Sequence, residues 1–190
     1  MADVRTRTIG AAGAGGPALR PATVADAAAG ALTAGVVLGV VGALGLWAHQ
    51  PWLFPSLGPT IVLQHASPHH GAGSLWNTLV GHAIGAAAGF AAVWITGAVH
   101  MTPEMATGVL TAPRVWATAL AIALTILGGS LARADHPPAA ATTMLISLGA
   151  FKPNWDSAAV LAVGIVATAV LGSLARGWHR GRRTVRPVSG

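Results

Sequence analysis

Two stretches decide how this chain folds: residues 54–65, FPSLGPTIVLQH, and residues 136–151, HPPAAATTMLISLGAF. Each is too apolar for an ordinary loop. Each is also too short to cross about 30 Å of hydrocarbon, which takes about 20 helical residues. A helix of about 8–14 residues reaches roughly 12–21 Å, so these segments suit re-entrant or half-helices, packed in protein or lining a cavity. Proline places their starts, because it fits the first helical turn and pushes the preceding residue out of the α region. The starts are then near Pro59 and Pro138.

Working outward, four longer apolar stretches surround the short ones: about Ala27–Trp47, Leu75–Val99, Val115–Ala132 and Ser157–Ala175. Each is close to a full membrane span. Composition agrees, since 53% of the 190 residues are hydrophobic and 8% charged, against about a quarter charged in a soluble domain. Between Asp26 and Arg114 the only charged side chain is Glu104. The fold expected is an all-α membrane protein of four transmembrane helices plus two short re-entrant or half-helices. Residues 1–24 read as a disordered cytoplasmic leader, too poor in periodic apolar residues to offset the entropy of ordering. The transmembrane domain occupies residues 25–175, and residues 176–190 form a basic tail.

The net charge of +6 does not point to nucleic acid, because Arg176, Arg180, Arg182, Arg183 and Arg186 cluster in the last fifteen positions. Such a cluster reads as a cytoplasmic flank of a membrane span. In a four-span topology the leader arginines, Arg114 and the tail share one side, which places both termini in the cytoplasm of a cell inner membrane. Arg133 and Lys152 fall on the other side, next to Asp135 and Asp156. Each short helix with its two flanking spans forms a weak internal repeat. Even numbers of crossings give the two repeats the same orientation. Small residues recur every four positions at Gly35 and Gly39, at Gly81, Gly85 and Gly89, and at Gly164, Thr168 and Gly172. These stripes serve bundle packing or a homo-oligomer face.

A helix start buried in a membrane protein carries unpaired N–H groups and the positive end of a dipole. Two readings of these starts stand: tight turns that satisfy themselves, or an anion site. Candidate anion-binding residues are Ser56, Gly58 and Thr60 at the first start, and His136, Pro137, Pro138 and Thr142 at the second. Asn77 and His82 join them, because polar groups inside the second span should face the bundle interior.

The run Asp135-His136-Pro137-Pro138-Ala139-Ala140-Ala141-Thr142-Thr143, with Pro55-Ser56-Leu57-Gly58-Pro59-Thr60 before it and Gly81-His82-Ala83-Ile84-Gly85 between, resembles the HPP family of integral membrane proteins. The resemblance covers roughly residues 25–175. It implies a four-span membrane protein, and plant plastid members of the family are linked with nitrite transport. Some members carry regulatory CBS domains that this chain lacks.

The leading expectation is therefore a transporter or channel for a small inorganic anion such as nitrite. It needs no cofactor and no metal and is not an enzyme. With no cysteine, thiolate metal sites and disulfides are excluded. His65, His69 and His70 read as a wet loop, because Pro68 breaks their helical spacing and no carboxylate lies nearby. A membrane redox or cofactor-binding subunit is the rival reading, which would need His82 to pair with a second intramembrane histidine across a haem. A structural membrane interaction protein is the third. No Ser-His-Asp, HExxH or phosphate-loop pattern supports hydrolysis.

Overall fold

The structure, a computed structural model, describes residues 23–66 and 71–184. Residues 1–22 of the expected 1–24 leader, with His69, His70 and Arg186, lie outside the described residues, and the last two leader positions, Thr23 and Val24, cap and start the first helix. Those described form an all-helical bundle: α1 (Val24–Trp47), α2 (Leu57–Ala66), α3 (Leu75–Ile95), α4 (Glu104–Thr107), α5 (Ala112–Leu131), α6 (Pro138–Ser147) and α7 (Trp155–Thr184). A 3-10 turn at Ala98–His100 precedes α4. Helices α1, α3 and α5, with residues Trp155–Gly177 of α7, are long and apolar enough to cross a membrane.

The helix starts follow local chemistry. Thr23 and Asp26 form a reciprocal capping box at α1, and the Ser74 hydroxyl accepts the Asn77 amide at α3. The Asn154 side chain accepts the Ser157 amide at α7. Pro138 is the first residue of α6, as its fixed φ predicts. Helix α2 begins at Leu57, two residues earlier than expected, and Pro59 still lies in its first turn. Helix α7 does not stop at Ala175 but continues to Thr184, carrying four of the tail arginines on its backbone.

Contacts between elements set the direction of each helix. Leu53 packs at Gly42 and His65 at Gly30, so residues 53–65 run antiparallel to α1. Phe54 meets Gly164 and Gln64 meets Gly172, so α2 runs parallel to α7. Helix α3 is antiparallel to α2, since Thr60 bonds His82 and Gln64 bonds Thr78. It is parallel to α6, with Gly81 against His136, Gly85 against Ala139 and Thr143, and Gly89 against Ile146. Helix α5 is antiparallel to α6 through Thr125–Thr143 and Thr118–Ser147.

The six main helices thus alternate in direction along the chain, and α1 and α3 point the same way. The segment between them passes from one end of the bundle to the other, as does the segment around α6. The short helices are half-helices, ten residues and about 15 Å each, extended by non-helical chain instead of turning back. Each long-short-long unit therefore has three crossings, an odd number. The two repeats are inverted relative to each other, unlike the same-orientation pairing expected from even crossings. The start of α1, the end of α7, Arg133 and Asp135 share one end, here end A; Glu104, Arg114, Lys152 and Asp156 share the other, end B. Arg133 and Arg114 so exchange sides relative to the four-span expectation.

Two of the three small-residue stripes are used within the chain. Gly81, Gly85 and Gly89 let α6 lie against α3, while on α7 Gly164 receives Trp52 and Phe54, just before α2, and Gly172 receives Ile61 and Gln64 of α2. Gly35 and Gly39 touch no neighbouring element and lie on an exposed face of α1 with Leu32, Val36 and Val40. The apolar core, including Val41, Phe54, Leu57, Val93, Leu145, Ile146, Leu161 and Ile165, fills the end-B half. Phe54 and Phe151 meet there edge to face at 5.8 Å.

Candidate functional site

Beside that core, where the starts of α2 and α6 approach α3, five polar side chains gather. Ser56, Thr60, His82 and Thr142 are at most 1% exposed and His136 is 5% exposed. Thr60 is the fourth residue of α2 and Thr142 the fifth of α6, so each lies one turn inside its half-helix. His82, on the central span, bridges them: Nε2 is 2.9 Å from Thr60 Oγ1 and Nδ1 is 2.8 Å from Thr142 Oγ1.

The hydrogen-bond directions follow from which atoms can donate. The Ser56 carbonyl only accepts, so the Thr60 hydroxyl donates to it at 2.8 Å. Thr60 Oγ1 then accepts from His82 Nε2–H. His82 Nδ1, left without a hydrogen, accepts from the Thr142 hydroxyl, which in turn accepts from the Ser56 hydroxyl at 2.8 Å. The circuit starts and ends on Ser56 and satisfies every member. In a membrane interior a closed circuit of this kind joins three helices without an exposed polar group.

His136 stands against the circuit. Its Nδ1 donates to the Ala72 carbonyl at 2.7 Å, its Nε2 lies 3.4 Å from Thr60 Oγ1, and its ring meets the His82 ring edge on at 4.8 Å. It also lines a cavity of about 290 Å³ between α3, α5 and the start of α6, with Gly81, Thr125, Gly129 and Asp135 among the other walls. Asp135 carries the only ionisable carboxylate among these walls, and its backbone carbonyl accepts from Asn77 Nδ2 at 3.1 Å.

Of the nine residues singled out from sequence, five form the network and Asn77 borders it. Pro137 and Pro138 shape the start of α6. Gly58 is half-buried, and nothing from another element approaches its Cα. The anticipated unpaired N–H groups are not there at α6. Pro137 and Pro138 have no N–H, and the next two amides are used: Ala139 donates to the His136 carbonyl at 2.8 Å and Ala140 to the Pro137 carbonyl at 3.1 Å. Proline marks the helix start and also removes the donors an anion would need. Side-chain hydroxyls and imidazoles are the donors that remain.

Sequence reasoning missed three buried polar contacts. Thr125 and Thr143 hydroxyls bond at 2.9 Å. Gln64 Nε2 donates to Thr78 Oγ1 at 3.3 Å. Arg114, 4% exposed, donates from Nη1 to the Ser147 carbonyl at 2.9 Å and from Nη2 to Met101 at 3.0 Å. Its cation thereby caps the C-terminal, negative end of α6. The Thr142-Thr143 pair, which presents hydroxyls to two neighbours at once, was the available signal for the first of these.

A family model described as the HPP transmembrane region matches residues 19–185. No curated protein and no solved structure matches the chain.

Proposed function

The chain belongs to the HPP transmembrane family, and we propose that it carries a small inorganic anion, nitrite first among those to test, across a cell inner membrane. One observation supports this above the others: a single imidazole bridges one threonine from each of two oppositely directed half-helices, beside a cavity. Short helices in corresponding positions of inverted repeats are where secondary transporters place their sites. The cavity is large enough for a triatomic anion with some water. The polar side chains on its wall are those of His136, Thr125 and Asp135. The apolar core closes the end-B half, so the described arrangement fits a state loaded from end A.

The orientation we propose puts end A in the cytoplasm, because Arg133, Arg176, Arg180, Arg182 and Arg183 lie there against Arg114 and Lys152 at end B. The reading includes no chemical step on the solute and no bound cofactor. A haem-binding alternative is disfavoured, since both His82 nitrogens are taken by threonine hydroxyls. The exposed Gly35/Gly39 face of α1 is the surface through which copies would associate; an unchanged mass in detergent for Gly35→Leu, Gly39→Leu would remove that idea. The test of function is nitrite and nitrate flux into proteoliposomes. Flux above a His136→Ala, Pro138→Ala control is expected, and flux no greater than that control would refute the proposal.

A further inference from the structure

We propose that His136 is the proton-carrying group of this site and takes up one proton with each anion, making transport electroneutral. This rests on the anion reading above. The Ala72 carbonyl fixes the first ring hydrogen on Nδ1, because a carbonyl accepts and never donates. In the neutral ring Nε2 is therefore bare. It faces Thr60 Oγ1 at 3.4 Å, and the one hydrogen of that hydroxyl is directed at the Ser56 carbonyl. Two lone-pair atoms are thus set against each other. A proton on Nε2 converts this contact into an N–H···O bond and leaves the circuit intact, since a hydroxyl oxygen accepts two donors while giving one. The network has room for one more hydrogen, and that place is on His136.

The resulting imidazolium would be almost wholly buried and needs a counter-charge. Of the ionisable groups around it, α3 contributes His82, already engaged on both nitrogens. Its own segment contributes Asp135, which is exposed and lines the same cavity. Among the described residues, α2, α5 and the 71–74 turn present no ionisable side chain to that cavity. Asp135 is exposed and hydrated, so the buried counter-charge beside the ring is the monoanion itself. An anion and a proton entering together leave the net charge of the cavity as it was, whereas the anion alone would add a second negative charge beside a carboxylate. Each ligand favours the other by the same factor, as linkage requires. The proton is bound from the loading side and released with the anion, and no bond of the anion changes.

The test uses the full chain in liposomes containing a pH-sensitive dye, with the potential clamped by potassium and valinomycin and the protein-free leak of nitrous acid subtracted. One proton is expected to move per nitrite, at a rate indifferent to potential. A pH difference of about one unit, worth about 1.4 kcal/mol, should drive accumulation of up to about tenfold. His136→Gln, which keeps an amide donor for Ala72, should abolish the protein-dependent proton movement. Wild-type flux that follows potential without protons, or His136→Gln moving protons as wild type does, overturns the proposal. Nitrogen NMR on histidine-labelled wild type decides independently of turnover. With nitrite bound, His136 Nε2 should carry a proton taken from solvent, and an Nε2 still bare at saturating nitrite overturns the proposal. Protonation without any flux would refute the carrier reading alone and leave the proton site standing.

Discussion

Thr142→Val tests whether the circuit holds the half-helices together. The substitution keeps the shape of the side chain and removes one hydroxyl that makes two bonds between elements, to Ser56 Oγ and to His82 Nδ1, each 2.8 Å. Interhelical hydrogen bonds in membrane proteins are worth about 0.6 kcal/mol on average and up to about 1.7. Two of them predict a loss of about 1–3.5 kcal/mol, near the upper end because both orphaned partners are fully buried. Thr125→Val is the matched control. It removes one bond between elements, to Thr143, whose single hydroxyl hydrogen still has the Ala139 carbonyl at 3.0 Å or the Gly85 carbonyl at 3.1 Å to donate to. Its loss should stay below about 1 kcal/mol. Reversible unfolding in mixed micelles measures both. If the two variants agree within about 0.5 kcal/mol, the circuit is not what joins α2, α3 and α6.

The remaining predictions concern packing, the buried cation and topology. A Cβ at Gly85 would come within 2.8 Å of the Ala139 carbonyl and 2.7 Å of Thr143 Oγ1, whereas Gly39 has nothing within 4 Å. In melting experiments Gly85→Ala should cost about 1–3 kcal/mol, with Gly39→Ala neutral or slightly stabilising. Arg114→Lys cannot reach the Ser147 and Met101 carbonyls with a planar fork, and should lose about 1.5–3 kcal/mol by the same measurement. Because the chain contains no cysteine, single cysteines report sidedness directly. Glu104→Cys should react with an impermeant maleimide from outside intact cells and Arg133→Cys only after permeabilisation. The opposite pattern would restore the four-span topology without crossing half-helices.

The four long spans and both half-helices were legible because apolar length and proline are local signals. Direction was not. The distinction between a segment that turns back and one that passes through lies in which partners it touches, and FPSLGPTIVLQH reads the same either way. Only pairings such as His65 with Gly30 and Leu53 with Gly42 settle it. That single change inverts the second repeat relative to the first and carries Arg133 to the same end as the tail arginines. The apparent violation of the positive-inside pattern at Arg133 was thus produced by the assumed topology and not by the residue.

The site was legible in its membership and not in its mechanism. Ser56, Thr60, His82, His136 and Thr142 could be picked out because polar residues are scarce and costly inside a span. A helix start suggests backbone N–H groups as the donors, and the prolines argue against that: the residues that announce the α6 start are those that cannot donate there. Once the backbone withdraws, the donors must be side chains, and their number is set by counting hydrogens. Inversion brings a threonine from each half-helix to one point from opposite directions, and an imidazole has two nitrogens of opposite hydrogen-bonding character. One histidine on the central span therefore serves both half-helices, donating to Thr60 and accepting from Thr142. That polarity makes the two halves chemically unequal where they meet, and within the network it leaves His136 Nε2, on the cavity side, as the ring nitrogen with no hydrogen directed at it.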